Sequence, residues 1–241
     1  MRLQFKVLLV LILGLFVMGC SSLTDKTDAS SERRLSQHGI SQQPVWWPVR
    51  FRKTWPEGER PPFYSDLLIA DRIVRPVLQE YKNQIPLWRF HRRAARDAGG
   101  NTLTFWVHCD TKTAAAIFTQ IKQNPLLQQM LSENVIEHFH TPPITSGRPS
   151  AIEATSDSHW PEAIQKTWPA FIMGASESWL ALVQKAAIKR PVSNDASLAE
   201  LLQNYRDVNE DVNKDWKQYG KHAYLHHLNA LFGYAPLEVR F

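Results

Sequence analysis

The sequence predicts an α+β fold in which a small antiparallel or mixed sheet packs with several helices and the C-terminal half is rich in helix. Residues 86–109 have the pattern of a β-hairpin and residues 135–140 that of a further strand, which together predict the sheet. Apolar residues at three- and four-residue steps after residue 160 predict the helices. The 241 residues are 44% hydrophobic and 21% charged, a globular composition that excludes wholesale disorder and a multi-span membrane protein.

The chain begins with the layout of a secretory signal. Arg2 and Lys6 precede an apolar run that is shorter than the roughly 20 residues a transmembrane helix needs. The run ends at residues 17–20, VMGC, which are an aliphatic residue, a tolerant position, a small residue and a cysteine. This ending resembles the lipobox of bacterial lipoproteins, and the resemblance covers only the first twenty residues.

The lipobox resemblance implies a destination and an anchor. It implies that residues 1–19 are a removable signal peptide and that Cys20 is the lipid attachment site, carrying a diacylglycerol and an N-acyl chain such as palmitate. Several acyl chains hold a protein at a membrane far more firmly than one does. Ser21 after the cysteine is typical of lipoproteins sorted to the outer membrane, so we expect an anchored protein that faces the periplasm.

Residues 20–61 are expected to comprise the lipidated cysteine, a flexible tether and an aromatic neck. The tether, 21–43, contains almost no large apolar side chains and cannot offset the entropy of ordering. The neck, 44–62, mixes tryptophans with arginines. It is either an extended arm whose aromatic side chains pack onto the domain or a patch that binds a partner. A single globular α+β domain is predicted for residues 62–241.

The predicted domain opens with a helix over residues 65–83, which Pro76 is expected to kink or split. The hairpin follows, with strong turn chemistry at residues 97–101. Asp110 is predicted to cap a helix over 111–122, and Asn124 a second helix that runs to about residue 132.

The C-terminal half is predicted to contain four helices. Prolines at first-turn positions predict helices over 161–167 and 169–189. Residues 197–200 match a capping box that opens a helix to about residue 216. The final helix, 221–232, is expected to bury one face, made of Leu225, Leu228 and Phe232. Residues 237–241 are a candidate last strand.

Four histidines fall on predicted strands: His91, His108, His138 and His140. His138 and His140 form an H-x-H pair, which places both rings on one face of a strand. Two neutral imidazoles on one face can ligate zinc or copper, and His91 or His108 would have to supply a third ligand. The alternative is a solvent-facing sheet edge, and no metal or cofactor is assigned.

Three other motifs are interpreted as structural or remain open. His222 and His226 lie four apart but lack the Glu of an H-E-x-x-H motif, so they are interpreted as a polar flank. Residues 174–178, GASES, lack the second glycine of a nucleophile elbow and fall in a helical pattern. A basic strand and turn suits phosphate or carboxylate, or serves only as a charged sheet edge; it contains Arg89, Arg92, Arg93 and Arg96.

The cysteines and the charge exclude several classes of protein. If Cys20 is lipidated, Cys109 is the one thiol that remains, so it has no partner for an intramolecular disulfide. It ends an apolar run, and we interpret it as a buried structural residue and not a catalytic thiolate. Loss of residues 1–19 would lower the formal net charge from +5 to +3, which gives no reason to expect a nucleic-acid partner.

The sequence therefore predicts a lipid-anchored envelope protein that acts as a non-catalytic binding or accessory protein. An assembly accessory or an immunity-type lipoprotein would play such a role, with an envelope protein as partner. The alternative is an envelope hydrolase or metal-dependent enzyme that uses the sheet histidines. No catalytic residue is assigned.

Overall fold

The computed structural model describes residues 43–147, 149–193 and 195–234. Within them, a four-stranded antiparallel sheet and several helices form an α+β fold with a helix-rich C-terminal half, which confirms the predicted class. The predicted signal peptide, Cys20 and the candidate strand at 237–241 lie outside the described residues.

The sheet has the strand order β2-β3-β1-β4, and each neighbouring pair is antiparallel. The strands are β1 (Val45–Lys53), β2 (Leu87–Ala94), β3 (Asn101–Cys109) and β4 (Ile136–His140). The predicted hairpin is confirmed as β2 and β3. In its turn, the Asp97 carboxylate accepts a hydrogen bond of 2.9 Å from the Gly99 N–H, and Gly100 takes a φ of +57°.

Strand β1 comes from the aromatic neck and lies in the interior of the sheet. The interpretation that the neck's aromatic side chains pack onto the domain is confirmed, because Trp47 and Phe51 are fully buried. The predicted boundary at residue 62 is nevertheless too late. Residues 45–53 pair with β3 on one side and β4 on the other, so the sheet cannot form without them.

The first group of helices comes partly before and partly after the hairpin in the chain. It comprises α1 (Tyr64–Leu68), a π-helical stretch (Ile69–Val74), α2 (Arg75–Glu80), α3 (Thr111–Lys122) and α4 (Pro125–Ser132). Pro76 follows the π-helical stretch within one continuous run of helical backbone from residue 64 to residue 80, so the predicted helix is not split at the proline. Asp110 and Asn124 cap α3 and α4 through side-chain hydrogen bonds from backbone N–H groups.

The second helical region follows two short 3₁₀ turns, Ile144–Ser146 and Ile152–Thr155. It comprises α5 (Glu162–Ile188), α6 (Leu198–Asp215), a π-helical stretch (Trp216–His226) and α7 (His227–Leu231). The two helices predicted around Pro169 are one continuous helix, because its missing N–H removes only one backbone hydrogen bond and its ring is buried. The capping box of Ser197 and Glu200 at the start of α6 is confirmed.

The core forms between one face of the sheet and the helices. Trp47, Val49 and Phe51 of β1 meet Leu103, Phe105 and Val107 of β3 there. The predicted buried face of the last helix is wrong, since Leu225 is 41% and Phe232 74% exposed. In the described part of the chain, no helix has the length and hydropathy to cross a membrane.

Candidate functional site

The sheet face opposite the core carries two rows of basic and polar side chains. In one row the antiparallel register aligns His91, Thr104, Arg50 and His140 across the four strands. In the next it aligns Arg93, Thr102, Arg52 and His138. We call these eight residues the basic face. Successive strand residues point to opposite faces, so the apolar residues between them fill the core.

Arg50 lies at the centre of the basic face and is supported by an aromatic ring. Its guanidinium carbon lies 5.9 Å from the ring centroid of Trp106, and that of Arg89 lies 5.3 Å from the same ring. No carboxylate lies within ion-pair distance of Arg50 anywhere in the described ranges. A guanidinium beside an indole, with no carboxylate partner, keeps its N–H groups available for a planar anion such as a carboxylate.

Two carboxylates lie at the margin of the basic face. Glu137, at the β-bulge of β4, forms an ion pair of 2.9 Å with Arg52. Asp97, in the hairpin turn, pairs with Arg93, and this contact lowers the pKa of the Asp97 carboxyl to about 2. Arg50, His91 and His140 lie in the neighbouring row, where His91 and His140 are exposed and Arg50 is half-buried.

A shallow depression lies between β1 and β4 on the basic face. Its volume is about 380 Å³, and its lining includes Arg50, Arg52, Thr102, His138 and His140. Strand β4 is an edge strand here, because its other side pairs with no strand among the described residues. Basic side chains that line a depression beside an unpaired strand edge suit an acidic segment of another protein.

The remainder of the outer face is covered by the segment that contains the two 3₁₀ turns. The Trp46 indole N–H donates to the Ile152 carbonyl at 2.9 Å, and Arg89 donates to the Thr155 hydroxyl at 2.9 Å. Arg89 is buried by this cover, and its burial lowers the pKa of the guanidinium to about 10. The basic face is therefore the half of the outer face that the segment leaves open.

The histidines of the sheet share one face but do not meet at one point. His91 and His140 are three strands apart in the same row, roughly 14 Å at the usual strand spacing. His108 lies two rows further along β3, under the covering segment. No three His, Cys, Asp or Glu side chains within the described ranges are placed to hold a metal ion.

The four arginines of the predicted basic strand and turn separate in the structure. Arg92 points into the opposite face and contacts Asp66 at 2.7 Å, and Arg96 stacks on Trp55 at 3.6 Å. Arg89 and Arg93 lie on the outer face. Arg50 and Arg52 belong to the neck, for which a partner-binding patch was one of the two interpretations. Their place beside the strand arginines was not predicted, because it depends on the pairing of β1.

Two other predicted residues have structural roles. Cys109 is buried, as expected for a structural residue at the end of an apolar run, and its burial raises the pKa of the thiol to about 12. Ser176 of the GASES segment lies inside α5, where its hydroxyl accepts a hydrogen bond of 3.0 Å from the Phe90 N–H and so ties the helix to the edge of β2.

Fold and surface together define an α+β protein with one sheet face packed by helices and the other partly covered by the 3₁₀ segment and basic where it is open. The chain matches no protein-family model, no curated protein and no solved structure in the comparisons made.

Proposed function

We propose that this protein is a lipid-anchored envelope protein that binds a protein partner through its basic face and catalyses no reaction. The anchor is a lipid on Cys20, and the place is the periplasmic side of the outer membrane. The partner presents carboxylates to the basic face. The lipobox pattern of residues 17–20 supports the anchor, and the charge and geometry of the basic face support the partner.

The observation that carries the proposal is Arg50, half-buried beside the Trp106 ring and aligned with histidines, which no carboxylate of the described residues pairs with. Arginine and tryptophan are the residue types that most often dominate protein interfaces. A partner carboxylate at Arg50 would form a charge-assisted hydrogen bond that contributes about 1.5–3 kcal/mol. Complementary charge also speeds association and makes it sensitive to salt.

The anchor is tested by metabolic labelling with a fatty-acid probe. The chain has two cysteines, so Cys109→Ala is a matched control for Cys20→Ser. We expect the label and membrane flotation to survive Cys109→Ala and to disappear in Cys20→Ser. A label that persists in Cys20→Ser, or wild-type protein that is unlabelled and does not float, would overturn the anchor.

The partner is tested by quantitative capture from detergent-solubilised envelopes. We compare wild type with Arg50→Glu, and use Lys112→Glu on α3 as the control for the same charge change on an exposed helix. One stoichiometric partner should be lost at least about tenfold with Arg50→Glu and retained with Lys112→Glu. His140 is exposed on the same face and does not support the Trp106 ring. His140→Glu therefore provides a second variant in case Arg50→Glu unfolds.

Zinc analysis of the purified protein tests the alternative function, a metal-dependent enzyme. Stoichiometric zinc in the purified protein that is lost in His138→Ala, together with no captured partner, would contradict the binding function. Equal capture by Arg50→Glu and Lys112→Glu would also contradict it, because the basic face would then have no part in binding.

A further inference from the structure

The C-terminal arm, residues 216–234, leaves an unusual amount of aromatic surface exposed. It continues α6 as a π-helical stretch followed by α7, and Gly220 is the only residue of these two elements that is buried. The exposed large side chains of the arm are Trp216, Tyr219, Tyr224, Leu225, Leu231, Phe232 and Tyr234. Several large apolar side chains exposed on one short segment indicate a site of interaction.

Two aromatic side chains of the arm stack on each other. The ring centroids of Trp216 and Tyr224 lie 6.0 Å apart, and the interplanar angle is 15°. Between them lies Gly220, and a Cβ at that position would overlap the Trp216 ring. Tryptophan and tyrosine, with an apolar body and a polar tip, are the side chains enriched where a membrane meets water.

The charge of the arm has one sign. Between residues 216 and 234 the sequence contains Lys217, Lys221 and three histidines, and it contains no aspartate or glutamate. Lys217 and Lys221 are exposed. A second copy of this arm would bring like charges together, whereas a surface of anionic lipid headgroups complements both the lysines and the aromatic rings.

We propose that the C-terminal arm lies in the headgroup region of an anionic membrane surface, with its tryptophan and tyrosine rings at the level of the headgroups and its lysines on lipid phosphates. The arm provides a second membrane contact that is separate from a lipid on Cys20. It would hold the globular body close to the bilayer and limit the directions in which the basic face points.

The test measures the depth of one side chain in full-length protein on vesicles. A nitroxide label is placed at Tyr219→Cys, and a control label at Lys112→Cys on α3. The protein is bound to vesicles of phosphatidylcholine with one quarter phosphatidylglycerol. We expect the label at 219 to become accessible to oxygen and protected from a water-soluble nickel relaxant, while the label at 112 stays fully accessible to nickel.

Charge reversal separates the arm from the anchor. Lys217→Glu with Lys221→Glu should lower the inserted population of the 219 label by about 25-fold or more, since each lysine near an anionic surface contributes about fivefold to partitioning. Flotation of a lipidated protein would remain. Failure of the Cys20 anchor therefore appears as lost flotation, and failure of the arm as a label that stays in water.

Three outcomes would overturn the inference. They are equal nickel accessibility at 219 with and without vesicles, insertion that is unchanged by the double charge reversal, and protection of the 219 label in solution before vesicles are added. The last outcome would assign the arm to a second copy of the chain or to a co-purified protein. If the protein proves not to be lipidated, the measurement is made with excess vesicles and the same expected result.

Discussion

Lys53, the last residue of β1, forms a fully buried ion pair with Asp66 of α1. Neither side chain reaches solvent, and Arg92 of β2 contacts the second oxygen of the same carboxylate at 2.7 Å. Burial lowers the pKa of Lys53, while the charge of Asp66 opposes that shift. One carboxylate thus joins two strands of the sheet to the first helix.

Removing Asp66 should destabilise the protein more than removing Lys53. Asp66→Asn leaves the Lys53 ammonium buried without a carboxylate, which costs about 3–5 kcal/mol. Lys53→Met leaves Asp66 paired with Arg92 and should cost less. Urea denaturation of both variants provides the measurement, and equal losses of unfolding free energy would show that Arg92 does not support Asp66.

Two glycines should respond to alanine in opposite directions. A Cβ at Gly147 would overlap the buried indole of Trp47, whereas nothing lies within 4 Å of a Cβ at Gly174 in α5. Gly147→Ala should cost about 1–3 kcal/mol through overpacking. Gly174→Ala should stabilise by about 0.5–1 kcal/mol, because alanine suits a helix interior better than glycine. Thermal unfolding measures both changes, and a neutral Gly147→Ala would mean that Trp47 can shift.

Folding stability should fall at alkaline pH. Burial raises the pKa of the Cys109 thiol to about 12, and burial together with the hydrogen bond to Asp71 raises the pKa of Tyr205. The folded state therefore keeps both protons after the unfolded state has released them, which lowers stability as pH rises above about 9. Urea denaturation between pH 8 and pH 11 should show this loss, and Cys109→Ala and Tyr205→Phe should each reduce its slope. An unchanged slope in both variants would refute this origin.

His91 should titrate below the ordinary range of histidine. Neighbouring side chains desolvate one side of its exposed ring, and this desolvation and the charges of Arg89 and Arg93 lower its pKa. Because the folded state binds this proton less readily than the unfolded state, protonation of His91 costs stability as pH falls below about 6.5. An NMR titration should place its pKa below that value, and Arg93→Gln should raise it. No change in Arg93→Gln would show that the arginine charge is screened.

The fold class follows from local patterns because its elements carry their own start and stop residues. Asp110, Asn124 and Ser197 each cap a helix as predicted, and the Asp97–Gly100 turn closes the hairpin. Strand β1 was not predicted as a strand. It lies just beyond a polar tether, and Pro48 interrupts its run of aromatic residues. A pairing between residues 50 and 104 depends on long-range contacts that no local pattern encodes.

The candidate site was predicted only in part for the same reason. The four strand histidines were identified, but their positions in the rows depend on the register of β1 with β3 and β4. The exposure of Leu225 and Phe232 was missed because apolar spacing marks a face without saying what lies against it. Binding surfaces of this kind emerge only when distant strands are placed side by side.

Site-specific photo-crosslinking in intact envelopes tests the central claim most directly. A photoreactive residue replaces His138, which is 70% exposed on the basic face, or, as the control, Lys112 on α3. The binding function predicts one discrete protein adduct from position 138, absent at 112 and abolished by Arg50→Glu. No adduct from position 138, or the same adduct from both positions, would contradict it.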